Sequence, residues 1–154
     1  MKSTAIQTYV SMMGKFPSLA YATLVAIGDH QSGCTEEQAH YAVASERPGK
    51  TAYSSVRSRF WELQTMGLIG DNGTVTILLP KGKTREHQRY ALTEMGREFL
   101  KRDPVEAHEK MAQLMKVIHA GRDARAAACK PIYEEHNMGM RADTRSILMR
   151  FLRG

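Results

Sequence analysis

Apolar residues recur at helical intervals along most of this chain, and one stretch in the middle alternates as paired strands do. Ala5, Ile6, Tyr9, Val10 and Met13 predict an amphipathic helix from Ser3 to Met13, broken by Lys15-Phe16-Pro17-Ser18. Leu19, Ala22, Thr23, Val25, Ala26 and Ile27 predict a second, buried helix ending near Gly28. Thr35 and Gln38 have capping-box spacing, in which each side chain satisfies the other's free backbone N–H, and a third helix follows from Glu36 to about Ala44. Pro48 and Gly49 in "SERPGK" stop it. Over Thr51 to Met66 a helical projection puts Tyr53, Val56, Phe60 and Leu63 on one side and Thr51, Ser54, Ser58 and Thr65 on the other. Gly67 stands where a left-handed C-terminal cap belongs.

The period then changes. Leu68-Ile69 open a strand, "TVTILL" (Thr74 to Leu79) and "RYALT" (Arg89 to Thr93) are β-rich, and the polar connector "PKGKTREHQ" makes them a hairpin with a long basic tip. Thr93 caps a helix from Glu94 to about Lys101, with Phe99 and Leu100 turned inward and Arg97 outward. Asp103, Pro104 and Glu106 suit the cap, first and third positions of another helix. Its stripe of Ala107, Met111, Leu114, Met115 and Ile118 predicts a long helix running through "ARAAACK" toward Pro131. A short last helix, about Thr144 to Leu152, carries Ile147, Leu148 and Phe151 on one side. The expected fold class is α+β, mostly α, with one core, since 154 residues are too few for two full-sized domains.

Composition changes this picture little: 42% hydrophobic and 25% charged residues are ordinary for a folded chain. No apolar run approaches the ~18 residues that span a bilayer. The first residues also lack the apolar region and cleavage site of a signal peptide, so a cytoplasmic protein without a membrane partner is expected. Cys34 and Cys129 are read as buried free thiols rather than a disulfide. The ten methionines are read as core filler.

Charge changes the picture more. From Arg47 to Arg102 there are 11 Lys or Arg against 5 Asp or Glu, whereas the remaining residues carry 11 of each, so the net +6 sits in one segment. Such a face either meets a polyanion, whose condensed counterions it releases, or is a solvated basic surface. Short hydroxyl side chains near a helix start let the backbone approach a major groove, and Thr51, Ser54, Ser55 and Ser58 have that character, with Arg57 on the flank. Lys50 stands where a phosphate would meet the helix N-terminus.

The order of helices and hairpin, with "VRSRFWELQTMGLI" inside it, resembles winged helix-turn-helix regulators of the MarR-like and PadR-like families. Val56, Leu63, Gly67, Leu68 and Ile69 fill the pattern of an apolar residue, a leucine seven positions on and Gly-Leu-Ile four later. Tyr90, Leu92, Thr93, Gly96 and Leu100 in "RYALTEMGREFL" are similar to the closing strand and helix start of those families. The resemblance covers roughly Pro17 to Arg102 and implies double-stranded DNA as partner. It implies Thr51 to Arg59 in the major groove, and Lys81, Lys83, Arg85, His87 and Arg89 as a wing on the backbone or in the minor groove. Arg97 and Arg102 extend the basic face. Two positions depart from the pattern: Arg59 stands where the MarR-like pattern is aliphatic, and Ser58 where it often carries a base-reading arginine. Arg59 is therefore also open to pairing with an acid, and Trp61 to stacking on the wing, the tail or a partner subunit.

The expected organisation is an N-terminal helix over residues 1–16, a DNA-binding domain over 17–102 and a helical extension over 103–154. The long helix either packs on its own domain or forms a homodimer with the N-terminal helix, and a symmetric operator favours the dimer, through Ile6, Tyr9, Met111, Leu114, Met115 and Ile118. His30, Cys34 and His40, or His108 and His119, reproduce no recognised ligand spacing, so neither metal nor cofactor is expected. Glu134, Glu135 and His136 offer acid and base groups without a nucleophile, and no enzyme is expected. The leading expectation is a sequence-specific regulator, a repressor, of a bacterial or phage operon. The alternatives are a winged-helix adaptor that binds a protein, or a replication or partition initiator. No small-molecule effector can be named.

Overall fold

The computed structural model describes the backbone of residues 4–129 and the side chains of residues 4–123. The last predicted helix, about Thr144 to Leu152, the Glu134, Glu135 and His136 group and the Cys129 thiol lie outside the described residues. Six α-helices and a two-stranded antiparallel sheet make the fold α+β and mostly α. In chain order these are α1 (Thr4–Met13), α2 (Leu19–Asp29), α3 (Glu36–Glu46), α4 (Tyr53–Thr65), β1 (Ile69–Leu78), β2 (Thr84–Leu92), α5 (Glu94–Leu100) and α6 (Pro104–Cys129). None of these helices is long and apolar enough to cross a membrane.

The helix α2 is the centre of the core, with every residue from Ala20 to Ile27 buried. Its alanines let neighbouring helices approach, and Thr23 satisfies its hydroxyl by donating to the Leu19 carbonyl at 2.7 Å. Both halves of the Thr35–Gln38 capping box start α3. Val56, Phe60 and Leu63 of α4 face the same core. Tyr53 does not: it stays exposed and its hydroxyl donates to Glu36 Oε2 at 3.0 Å, a bond that outranks burial because the helix has only just begun.

The stripe on α6 closes the core from below. Met111, Leu114 and Ile118 are fully buried, as are Ile6 and Tyr9 of α1, and all but Tyr9 belong to one cluster with α2 and α4. Burial of side chains of this size contributes roughly 1.5–3 kcal/mol each. The residues expected at a dimer contact are therefore used inside the chain, Met115 alone among them being only half-buried. Ala5, Ile6 and Phe16 thus join Ala107, Met111, Leu114 and Ile118 of α6 in the cluster that α2 and α4 build.

The residue His108 fastens this layer. The Ser18 backbone N–H donates to its Nε2 at 2.9 Å, so its other nitrogen, Nδ1, carries the proton and donates to the Tyr9 hydroxyl at 3.2 Å. Burial, and then the Lys15 ammonium, hold its pKa below the usual 6.5.

At the opposite end of α4, Gly67 takes φ +79° and ends the helix in a Schellman motif, its N–H bonding to the Gln64 carbonyl and that of Leu68 to the Leu63 carbonyl. The Leu68 carbonyl then accepts the Thr93 N–H at 3.0 Å, and the Thr93 hydroxyl donates to the Gly67 carbonyl at 2.6 Å. That hydroxyl also accepts the Gly96 N–H, capping α5. A Cβ at Gly96 would overlap the Leu68 carbonyl oxygen.

The expected long basic tip is mostly strand. β1 and β2 pair from Ile69↔Leu92 to Leu78↔Thr84, with a bulge between Asp71 and Thr74, and leave only Leu79 to Lys83 as the turn. Arg85, His87 and Arg89 thus stand in β2. The ladder reached further than turn composition suggested because alternate cross-strand pairs supply backbone hydrogen bonds whatever the side chain. Cys34, between α2 and α3, adds a single antiparallel bridge to Tyr90, with both N–H···O distances 2.8 Å.

Gly96→Ala is expected to lower the unfolding free energy by about 3 kcal/mol in urea melts, because backbone must move. Gly70→Ala, whose Cβ meets only Thr93 Cγ2 at 3.6 Å, is expected to stay within about 1 kcal/mol. Since the folded pKa of His108 is lowered, the unfolded chain binds its proton first as pH falls below 6.5, and the folded state loses the stability that this group contributes above that pH. The stability gap between wild type and His108→Gln is therefore expected to shrink steadily from pH 7 to about 5 in parallel melts.

Candidate nucleic-acid interface

The structure divides the residues singled out for DNA contact into two sets. Lys50, Ser54, Ser55, Arg57 and Ser58 are exposed around the start of α4, and Lys81, Lys83 and Arg85 are exposed on the hairpin. Ser58 donates to the Ser54 carbonyl at 3.0 Å, which leaves its oxygen free to accept. Lys50, Lys81, Lys83 and Arg85 form no ion pair with another described residue.

Four others are occupied or turned away. Thr51 precedes the helix and is 8% exposed; its carbonyl accepts from His40 Nε2 at 2.8 Å, so it faces α3 rather than a groove. Arg59 turns toward the core edge, its Nη1 lying 3.1 Å from Oε2 of Glu62, a residue only 3% exposed. His119 of α6 approaches the other oxygen of Glu62 at 3.3 Å. His87 pairs with Glu37 at 3.2 Å, and Arg89 lies half-buried against the Gly33 backbone with its Nε buried. Trp61 is half-buried and takes the Arg122 guanidinium of α6 over its ring at 4.6 Å.

A polar crevice of about 310 Å³ separates α4 from the hairpin and is lined by Glu36, Glu37, Tyr53, Arg57, Arg85, Glu86, His87 and Gln88. It brings Arg57 of α4 and Arg85 of β2 to one place, together with three carboxylates. Arg57 Nε is 3.5 Å from Glu36 Oε2, and Tyr53 has its pKa raised by burial and then by the same carboxylate. The crevice, with three carboxylates to two arginines, is thus not an anion site.

Comparison with protein-family models, with curated proteins and with solved structures found no match to this chain. The reading of the site accordingly rests on its geometry.

No motif in the sequence marks Glu36, Glu37 and Glu62 as the partners of Arg57, His87 and Arg59. The first two are visible only as an acidic first turn, which a helix N-terminus favours anyway. The third had a signal, an acid three residues after an arginine on one helix face. Of the histidines considered for metal, His30 bonds the Ala26 carbonyl at 2.9 Å and His40 that of Thr51, and no group of three or more metal-ligating side chains gathers among the described residues. The Cys34 thiol is buried and its pKa pushed up to about 12 by burial, which makes it unreactive.

Arg59→Ala is expected to lower stability by about 2 kcal/mol, because buried Glu62 loses its cation. Adding Glu62→Gln is expected to recover much of that loss in the same urea melts.

Proposed function

We propose that the chain is a sequence-specific double-stranded DNA-binding protein of the winged helix-turn-helix kind, similar to MarR-like and PadR-like regulators. It acts as a repressor of a bacterial or phage operon. In this reading α3 and α4 are the helix-turn-helix, α4 enters the major groove and the β1–β2 hairpin is the wing. The Cys34–Tyr90 bridge, which adds a third strand segment at the root of the hairpin, supports the assignment. The observation that carries the reading is the exposed serine face of α4 beside unpaired cations on a hairpin locked to that same helix.

Ser54, Ser55 and Ser58 are short enough for the α4 backbone to approach base edges, and each hydroxyl can donate or accept. Arg57 reaches further. Its exposed pair with Glu36 contributes less than about 1 kcal/mol, so a phosphate or a guanine can replace the carboxylate. Lys50, Lys81, Lys83 and Arg85 supply sequence-independent affinity by releasing counterions. Thr51, Arg59, His87 and Arg89 take no part. A two-fold complex would meet through a surface other than the α6 stripe, and the symmetry of selected sites reports whether two copies bind together.

A second reading, a winged-helix adaptor for a protein partner, is favoured by the three carboxylates in the crevice and by the exposed ring of Tyr41 on α3. Duplex titrations across salt separate the two. Lys81→Ala/Lys83→Ala/Arg85→Ala is expected to weaken binding to every duplex and to reduce the slope of log K against log salt by roughly 2–3. Ser58→Ala is expected to change the ranking of selected sites by about 1 kcal/mol with the slope intact. Equal affinity of wild type and triple variant at every salt concentration would overturn the DNA reading, and a pull-down partner insensitive to nuclease would favour the adaptor.

A further inference from the structure

Two leucines stand at the outer end of the hairpin: Leu78 is 75% exposed and Leu79 37%. A single surface leucine is ordinary, but an adjacent pair at an apex puts apolar surface where a partner is met first. The apex is also stiff. Pro80 fixes its own φ, the Leu79 N–H donates to the Lys83 carbonyl at 2.7 Å, and Lys81 and Gly82 take consecutive left-handed conformations at φ 68° and 75°. A lysine rarely adopts that conformation, and residues held there gather at functional sites.

Cations frame the leucines. Lys81 and Lys83 belong to the turn itself, and Arg85 follows one residue into β2, all exposed and outside any ion pair among the described residues. In the strand register Leu78 shares its face with Thr76 and with Thr84 and Glu86 opposite, whereas Leu79, the next residue, lies on the other face with half-buried Ile77 and Val75, so the pair presents apolar surface on both sides of the tip. An apolar wedge flanked by cations on a stiff support is what parting a base step requires. The cations hold the phosphates on either side while the wedge takes the place of base–base contact. Reach is sufficient: a ten-residue strand spans roughly 33 Å, against about 17 Å, half a helical turn, from a major groove to the next minor groove. An anionic bilayer would also attract such a tip, but two exposed leucines bury too little surface to hold a membrane.

Resting on the reading that α4 enters the major groove, we propose that Leu78 and Leu79 wedge into the adjacent minor groove, unstack one base step and bend the duplex. The bend makes base-step flexibility part of site choice at positions that α4 never touches.

The test uses the full chain and duplexes that it selects from a random pool, carrying 2-aminopurine at successive positions and a dye pair at the ends. Wild type is expected to raise 2-aminopurine fluorescence at one step and to shorten the end-to-end distance, with a bend of roughly 20–90°. Leu78→Ser/Leu79→Ser, exposed changes that leave the core untouched, is expected to stay folded by circular dichroism, to bind the same duplex within about tenfold and to lose both signals. Leu78→Met is expected to keep them. Wild-type binding to a straight, fully stacked duplex would overturn the wedge and leave the DNA reading standing, as would a double-serine variant that still unstacks. Failure of wild type to bind any duplex would overturn both. Binding of anionic phospholipid vesicles that the double-serine change abolishes, with no unstacking, would assign the tip to a membrane instead.

Discussion

The carbonyl of Leu68 is the point on which the architecture turns. It accepts the Thr93 N–H, it lies against the Cα of Gly96, and it follows directly on the left-handed Gly67 that ends α4. The Thr93 hydroxyl completes the junction by donating to Gly67 and accepting from Gly96. Within two peptide groups the end of one helix, both strand roots and the start of the next helix are tied together. The angle between the serine face of α4 and the cationic hairpin is therefore a property of rigid backbone contacts, not of side chains free to relax. Phe60 and Tyr90 reinforce it from the core side, their rings edge to face at 5.0 Å.

That rigidity gives the charges their meaning. The basic excess between Arg47 and Arg102 is one number in the sequence but two populations in space. Arg59, His87 and Arg89 lie against carboxylates or backbone and help to hold elements together. Lys50, Lys81, Lys83 and Arg85 remain outside any ion pair among the described residues and face solvent. Glu36, Glu37 and Glu86 line one crevice with Arg57, Arg85 and His87, so cations and carboxylates are mixed there. A polyanion that entered the crevice would meet carboxylates.

Much of the fold was legible in the chain. The helix starts at Thr35 and Thr93 and the stop at Gly67 were readable because caps are made by residues three or four apart. The stripes on α2 and α6 were readable because burial on one face repeats with the helix period. The strand lengths were less so: polar residues from Thr84 to Gln88 read as loop, and only a partner strand in register made them β. The site was legible as residue types and not as availability. Ser54 and Ser58 stayed on the surface of α4 as the projection required, whereas Thr51, two residues before the helix, lies outside it and packs against His40.

By itself the sequence determined the periodic and capped elements and the place of the basic segment, since these follow from neighbours within about one helical turn or one strand pair. Only the tertiary structure decided whether an apolar stripe faces its own core or a second molecule. The stripe of Met111, Leu114 and Ile118 would read identically in either case, and here α1 and α2 cover it. Only the tertiary structure decided which cations are free, because Glu37 lies 50 positions from His87 and Glu62 lies 57 from His119. Pairing and burial are set by what the fold brings within a few ångströms, and no local pattern encodes that distance.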